Sequence, residues 1–284
     1  MAKPSDDSYG ALATSDGLEL FWRGRVPEQP RAVLAFVHGL GEHTGRYDNP
    51  FNAFVPRDYA CYVVDLRGHG ESDGGRIHVD DFDEYHRDVN ALLKLIRERH
   101  PELPIFLVGH SMGGLVTLRY VLAHPERVRG TVVSGPGLGT HPKLEPSAFI
   151  KVAARLMNRF RPHQLFDANV DPALVSRDSE VVKIYRVDPK VGRKVSARWY
   201  ASILQAMDDA NARANDLQRP TLVMYGTADQ LVDPAAIQRW ADAAPAEHVE
   251  SVAWDGLYHE IFNEPEKDQV FERMAAWLDQ HLAG

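Results

Sequence analysis

The sequence predicts an α/β protein with a mostly parallel, doubly wound sheet of eight strands flanked by helices. Apolar runs of strand length alternate with longer stretches of helical periodicity along most of the chain. Several runs, residues 31–37 among them, are apolar almost throughout, which is typical of strands buried on both faces of a parallel sheet. The run at residues 105–108 leads into Gly-x-Ser-x-Gly and then into a helical stretch, which indicates a tight strand-to-helix turn.

The predicted strands differ in pattern along the chain. Residues 18–23 alternate apolar and polar, which favours a strand with one exposed face, whereas 31–37 and 128–134 are mainly apolar and predict buried strands. The eight predicted strands cover residues 10–14, 18–23, 31–37, 59–65, 105–108, 128–134, 221–225 and 249–254.

Helical periodicity separates most of these strands. Residues 81–99 have the clearest amphipathic pattern, with apolar side chains spaced three and four residues apart. The predicted helices cover residues 45–56, 81–99, 115–123, 234–243 and 265–281.

The alternation of strand and helix stops after residue 134 and resumes at residue 221. Residues 139–215 look mostly helical and irregular, without a strong signal for a parallel strand. We therefore expect a core domain of residues 1–138 and 217–284. A helical cap, residues 139–216, is predicted as an insertion after the sixth strand; we call this segment the insertion.

Composition limits the classes of function. The 284 residues carry a net charge of −8, with 44% hydrophobic and 25% charged residues, as in an ordinary globular protein. This charge argues against nucleic acid as a partner, because binding phosphates requires clustered Lys and Arg. The single cysteine, Cys61, excludes an internal disulfide and fits a reducing compartment. No apolar run resembles a secretory signal or a membrane span, so we expect a cytoplasmic protein, peripheral at membranes if its substrate is a lipid.

Ser111 at the turn is the candidate nucleophile, although a glycine-rich turn with a bystander serine is the alternative. A serine needs a base, and the base needs an orienting acid. Asp229 follows the strand at 221–225 and His259 follows the strand at 249–254, which gives the chain order serine, acid, histidine of this architecture. Asp233 is a nearby rival for the acid. Among the other histidines, His248 precedes its strand.

The same architecture requires two backbone N–H groups for the oxyanion. One belongs to the residue after the nucleophile, here Met112, and the other comes from the loop after an earlier strand. That loop is His-Gly-Leu-Gly-Glu-His at residues 38–43, and Leu40 is the expected donor.

These motifs together resemble the α/β-hydrolase family and, within it, the monoacylglycerol lipases. The resemblance covers almost the whole chain. Its most specific parts are residues 38–47 (HGLGEHTGRY), 68–72 (GHGES), 109–114 (GHSMGG), and, in the insertion, Ser176-Arg177 and residues 185–189 (YRVDP). Leu40 departs from the pattern, because many relatives carry a smaller residue there; we expect it to narrow the acyl entrance and to leave the backbone donor intact.

The resemblance implies hydrolysis of a monoacylglycerol, or a similar ester with one acyl chain, through an acyl-enzyme and without metal or organic cofactor. It further points to Glu42 and Arg46 in the first loop, His110 in the elbow and Tyr185 in the insertion as substrate-binding residues. A structural ion pair that braces the loop is the alternative for Glu42 and Arg46. A lysophospholipase or a carboxylesterase of broad specificity would share every catalytic residue. A silent member of the fold that only binds a hydrophobic ligand would lack the activated serine.

One stretch of the insertion, residues 145–160, has an amphipathic pattern. Its apolar residues, which include Phe149, Ile150 and Phe160, share one helix face, while Lys151, Arg155 and Arg159 lie on another. The pattern predicts a lid helix that guides the acyl chain and touches a membrane or micelle. Packing of the same face on the core is the alternative.

Overall fold

The eight-stranded sheet is confirmed. The computed structural model describes residues 7–144, 147, 156–168 and 170–282. The strands are β1 (Ser8–Ala13), β2 (Glu19–Arg25), β3 (Ala32–Val37), β4 (Tyr59–Val64), β5 (Ile105–His110), β6 (Gly130–Ser134), β9 (Thr221–Gly226) and β10 (Val249–Trp254). They run in the order β1-β2-β4-β3-β5-β6-β9-β10, and only the pairings of β2 with β1 and with β4 are antiparallel.

Helices cover both faces of the sheet. They are α1 (Asp48–Phe54), α2 (Glu84–Arg99), α3 (Met112–Ala123), α6 (Pro234–Ala243) and α7 (Lys267–Leu282) in the core domain. Strand β3 is buried over its whole length, and its residues alternate between two apolar clusters. Val33, Ala35 and Val37 belong to the cluster that includes α2 and α3, whereas Leu34 and Phe36 belong to the cluster of α1 and α7. A strand buried on both faces explains the unbroken apolar run in the sequence.

The insertion leaves the sheet after β6 and returns at β9, as the sequence predicts. It contains α4 (Ser179–Val187) and α5 (Ala197–Ala212), together with an antiparallel pair of short strands, β7 (Leu165–Asp167) and β8 (Lys194–Ser196). The expectation of a helical and irregular insertion therefore missed this small sheet. Strands of three residues are too short to produce a period of two that a sequence window can detect.

Several helix bounds also differ from the expectation, among them the start of α3, which lies at Met112 rather than at residue 115. The long amphipathic helix begins at Glu84 rather than at residue 81. The helical stretch predicted at 45–56 is α1 with a 3₁₀ turn on each side, and it ends at Asp58, whose φ of 63° is left-handed. Within the part of the chain that the structure describes, no helix has the length and apolar character needed to span a bilayer.

Only the end of the predicted lid helix falls within the described residues. Residues 156–160 are helical, and the side chains of Leu156, Met157 and Phe160 are exposed, Phe160 to 73%. Phe149, Ile150, Lys151 and Arg155 lie outside the described residues, so the charge segregation predicted for this helix stays a prediction.

Candidate active site

Ser111 occupies a strained turn between β5 and α3. Its φ of 54° and ψ of −119° are unusual for a residue with a side chain, and such strain persists only where the surroundings enforce it. Gly113 makes this tight turn possible, because a Cβ there would overlap the carbonyl oxygens of Val37 and His38. Gly109 is packed as closely, against the main chain of Gly113. The two glycines let the helix approach the strand, and Ser111 is left at the turn between them.

The predicted base and acid form a buried pair. His259 Nδ1 lies 2.6 Å from Asp229 Oδ2, and both side chains are buried. A charged carboxylate requires Nδ1 to carry the proton, so Nε2 of the neutral ring is left as an acceptor. Both His259 and Ser111 line the same cavity. The structure therefore gives this histidine the tautomer that a general base needs.

Two main-chain N–H groups hold the Asp229 carboxylate in place, whereas Asp233, the other candidate acid, makes a different contact. Asp229 Oδ1 accepts hydrogen bonds from the N–H of Leu231 at 2.8 Å and of Val232 at 3.0 Å, which leaves Oδ2 for His259. Asp233 instead caps the N-terminus of α6 by accepting from the N–H of Ala235 at 3.0 Å. The two acids that the sequence offered are thus separated by their local geometry.

Several charged groups act on His259. Burial alone would lower the pKa of His259, but the Asp229 carboxylate raises it above its ordinary value, with smaller contributions from Glu260 and Glu42. The ring of His110 also lies 4.8 Å from that of His259. Burial lowers the pKa of His110 to about 4, so it is neutral at physiological pH and adds no repelling charge there.

The two expected oxyanion donors line the cavity beside Ser111. Met112 is the first residue of α3, where an N–H has no acceptor within the helix. Leu40 lies in the loop after β3, and within the described part of the chain neither its N–H nor that of Met112 donates to a protein acceptor. Gly39 packs against the Ser111 side chain, because a Cβ on it would lie 3.2 Å from Ser111 Cβ. This contact brings the loop of Leu40 to Ser111.

A buried charge network lies on the other side of this loop. The Glu42 carboxylate accepts a hydrogen bond from the Gly39 N–H at 2.8 Å, and its second oxygen lies 3.5 Å from Arg46 Nε. A single nitrogen of Arg46, Nη2, donates to both oxygens of Glu260, at 2.6 and 2.8 Å. Burial opposes ionisation of Glu42, but His110, Arg46 and the Gly39 N–H together lower its pKa to about 2.

Glu260 is a part of the network that the sequence analysis missed. It directly follows His259, is 3% exposed, and accepts a further hydrogen bond from Asn263 at 2.8 Å. Burial raises the pKa of Glu260 although Arg46 opposes this. Its position next to the predicted base was a signal in the sequence, but its partner Arg46 is 214 residues away along the chain.

His110 and Tyr185, which the sequence analysis assigned to the substrate, both line the cavity. His110 Nδ1 lies 3.0 Å from the Ser134 carbonyl oxygen and donates to it, so Nε2 of the neutral ring is an acceptor. The Tyr185 ring packs over the Arg46 guanidinium, with 4.7 Å between the charge centre and the ring centroid. Glu42, Arg46, His110 and Tyr185, the four predicted substrate residues, therefore form one cluster.

The cavity beside Ser111 has a volume of about 570 Å³, within the range of small-molecule sites. One end is polar and carries Glu42, His110 and Glu260. Side chains of the insertion form most of the remaining wall and are mainly apolar: Leu144, Phe166, Ala168, Val170, Val175, Val195, Trp199, Ile203, Leu204 and Met207. Leu40 also lines it, at the position where we expected a narrowed entrance. The lining of this cavity thus offers both a polar cluster and an apolar wall beside Ser111.

A second, smaller cavity of about 10 Å³ lies against the polar end. Glu42, His110 and Glu260 line both cavities, and Arg46 lines the small one. Within the described residues, Arg46 Nε is buried and makes no hydrogen bond. Oxygen and nitrogen atoms of Glu42, His110 and Glu260 lie within 4.8 Å of one another, which is a spacing that could suit a cation. The guanidinium of Arg46 already pairs with both carboxylates, so we assign the cluster to ion pairing.

The insertion is tied to the loop of Leu40. The Gly192 N–H donates to the carbonyl oxygen of Gly41 at 2.8 Å, and a Cβ on Gly41 would overlap the Gly192 carbonyl oxygen. His43 Nε2 lies 2.8 Å from Asp188 Oδ2. Ser176 reaches the segment that follows His259, where its hydroxyl donates to the Asn263 carbonyl oxygen at 2.9 Å. The motifs noted in the insertion therefore attach it to both loops that surround Ser111.

The sheet order, the strained serine turn and the buried acid–histidine pair define an α/β-hydrolase fold. Comparison with known proteins agrees: the family model described as "Serine aminopeptidase, S33" matches residues 28–266. The chain is 34% identical to the monoacylglycerol lipase of Mycolicibacterium smegmatis over 98% of this chain and 99% of that protein. The chain therefore belongs to this α/β-hydrolase family, together with the monoacylglycerol lipases.

Two further relatives place the activity in the same class. Phospholipase YtpA of Bacillus subtilis is 33% identical over 90% of this chain and 98% of its own. The crystal structure of the Paleococcus ferrophilus monoacylglycerol lipase matches with a TM-score of 0.83 and 30% identity, covering 92% of this chain and 99% of that one. The chain is accordingly a carboxylic ester hydrolase of the lipase and esterase type.

Proposed function

We propose that the enzyme hydrolyses monoacylglycerols to fatty acid and glycerol. The observation that carries this proposal is the cavity beside Ser111, which has a polar end at Glu42, His110 and Glu260 and a long apolar wall from the insertion. A monoacylglycerol has the same division, because one apolar acyl chain is esterified to a glycerol that keeps two free hydroxyls. Lipase relatives of similar length support the class of substrate.

The proposed reaction is acyl transfer in two steps. His259 Nε2 takes the Ser111 proton as the hydroxyl attacks the ester carbonyl, and the N–H groups of Leu40 and Met112 stabilise the oxyanion. His259 then protonates the departing alcohol, and water repeats the sequence on the acyl-enzyme. Asp229 keeps Nδ1 protonated and stabilises the imidazolium that forms. The reaction needs only side chains and main-chain N–H groups of this chain.

The leaving alcohol is proposed to bind at the polar end of the cavity. A glycerol hydroxyl could donate to His110 Nε2 or to a Glu42 oxygen, both of which have acceptor capacity after their protein contacts. Arg46 Nε is a buried donor without a hydrogen bond within the described chain, and an unsatisfied buried donor is costly. Ion pairing and alcohol binding are therefore compatible roles for Glu42 and Arg46.

We propose that the insertion, residues 139–216, is a cap that covers the acyl chain and contacts the lipid surface. The exposed Leu156, Met157 and Phe160 support this contact, because large apolar side chains in a cluster favour an interface. We also propose a cytoplasmic location, because the single cysteine, Cys61, is buried and free.

Lysophospholipids are the second candidate substrate. The relative named Phospholipase YtpA favours them. The polar end also has two carboxylates, Glu42 and Glu260, against one guanidinium, Arg46, and an acidic surplus would suit a cationic head group better than a free phosphate. A carboxylesterase of broad specificity is the third, less specific alternative.

The deciding experiment is hydrolysis of a panel that contains monoacylglycerols, diacylglycerols, triacylglycerols, lysophospholipids and simple ethyl esters of one fatty acid. The proposal expects the highest kcat/KM for monoacylglycerol. Tyr185→Phe removes one hydroxyl from the polar end and should lower kcat/KM for monoacylglycerol more than for the ethyl ester. Ser111→Ala should abolish turnover and labelling by a fluorophosphonate. Equal or better turnover of lysophospholipid, or a preference for ethyl esters, would refute the assignment of substrate.

A further inference from the structure

The two loops that must act on one carbonyl group come from distant parts of the sheet. Leu40 lies after β3 and His259 after β10, and three strands separate β3 from β10 in the sheet. The strand order alone therefore does not fix the distance between the oxyanion donor and the base. A direct connection between the two loops would fix it.

The buried ion pairs provide such a connection. The Gly39 N–H, one residue before Leu40, donates to Glu42, whose carboxylate pairs with Arg46. Arg46 Nη2 donates to both carboxylate oxygens of Glu260, one residue after His259. The side chains of Glu42, Arg46 and Glu260 are 6%, 7% and 4% exposed, so water does not compete strongly for these contacts.

We infer that Glu260, through its ion pair with Arg46, is a positioning residue that holds the His259 loop at a fixed distance from the oxyanion loop. The inference rests on the proposed roles of Ser111, His259 and Leu40. It assigns Glu260 a part in the reaction that does not depend on which alcohol leaves.

Glu260 also differs from a purely structural anchor in its charge. The charged and titratable groups that act on His259 are Asp229 from the loop after β9, Glu42 from the loop after β3, His110 from β5, and Glu260 itself. The ion pair with Arg46 requires an ionised carboxylate on Glu260. Glutamine at this position would remove a negative charge that favours imidazolium and would leave Arg46 with Glu42 as its remaining carboxylate partner.

The test is Glu260→Gln in the full chain, assayed with p-nitrophenyl butyrate, whose leaving group has no hydroxyls for the polar end to bind. Active enzyme is counted by fluorophosphonate titration. We expect kcat to fall about ten- to a hundredfold with KM within a few-fold, as for a small misplacement of catalytic groups. The acid limb of the kcat/KM profile should move to lower pH by on the order of half a unit to one unit.

Glu264→Gln is the matched control. Glu264 has a fully buried side chain on the same segment and pairs with Arg177 at 2.6 Å, but it takes no part in the connection through Arg46. It should lower thermal stability without moving the acid limb. A shift as large in Glu264→Gln as in Glu260→Gln would overturn the inference, as would wild-type kcat and an unmoved limb in Glu260→Gln.

Arg46→Lys covers the case in which Glu260→Gln does not fold. It keeps the positive charge, but a single ammonium cannot keep both the Nε contact with Glu42 and the Nη2 contacts with Glu260. We therefore expect kcat to fall while the acid limb stays in place, and wild-type kcat would overturn the inference. His259→Ala distinguishes failure of the proposed mechanism from failure of the role of Glu260. Full activity in His259→Ala would refute the proposed mechanism, whereas an inactive His259→Ala beside an unaffected Glu260→Gln would refute only the role of Glu260.

Discussion

Asparagine in place of Asp229 should lower kcat by about 10³- to 10⁴-fold while leaving the fold intact. The size follows from serine hydrolases with the same kind of triad, in which an acid-to-amide change costs about 10⁴-fold. The reason can be worked out from the hydrogen bonds of Asp229. The N–H groups of Leu231 and Val232 both point at Oδ1, at 2.8 and 3.0 Å.

These two donors decide how an asparagine would sit. Its carbonyl oxygen must accept from Leu231 and Val232, because an amide NH₂ there would leave two buried N–H groups unpaired. The NH₂ group then faces His259 Nδ1, which becomes the acceptor, and the proton moves to Nε2. A ring protonated at Nε2 cannot take the proton of Ser111. The substitution therefore inverts the tautomer without changing the packing.

The assay is kcat for p-nitrophenyl butyrate, with folding checked by circular dichroism and thermal melting. Asp233→Asn is the matched control, because Asp233 lies on the same loop but caps α6, a position where asparagine is equally favourable. We expect the control to retain activity within a few-fold. Asp229→Asn with more than a tenth of wild-type kcat, or an equal loss in Asp233→Asn, would refute the reasoning on the tautomer.

Three further predictions concern pH, a loop contact and the lipid surface. Because Asp229 raises the pKa of His259 above its ordinary 6.5, kcat/KM should fall as pH decreases through a midpoint above 6.5, and a midpoint below 6.5 would contradict the pairing. Gly41→Ala, where a Cβ would overlap the insertion, should lower the free energy of unfolding by about 2–4 kcal/mol. Gly256→Ala is the control, because its φ is also left-handed, at 71°, but no neighbour lies within 4 Å of the added Cβ; it should cost only about 1 kcal/mol. Denaturant melts would show equal losses of unfolding free energy for the two variants if backbone strain alone mattered. Phe160→Ser should weaken turnover of micellar long-chain substrate but not of p-nitrophenyl butyrate; Tyr9→Ser, at a similarly exposed aromatic on β1, is the control, and equal effects of both on the micellar substrate would refute the interface.

The sequence by itself determined the order of the sheet strands along the chain and the type of each main element. Local patterns suffice for this, because burial on one or two faces leaves a period of two, a period of 3.6 or an unbroken apolar run. The same patterns located Ser111, Asp229 and His259 at strand ends, since parallel strands present their carboxyl ends at one edge of the sheet. The short strands β7 and β8 escaped detection because three residues carry no period.

Only the tertiary structure decided how these positions meet. The sequence offered Asp229 and Asp233 as alternatives, and the direction of each side chain separates them: one reaches His259, and the other caps α6. The ion pair between Arg46 and Glu260 joins residues 214 positions apart, and no local pattern encodes a contact over that distance. Such pairs form when folding brings two loops to the same edge of the sheet, so their chemistry depends on packing that the order of residues does not display.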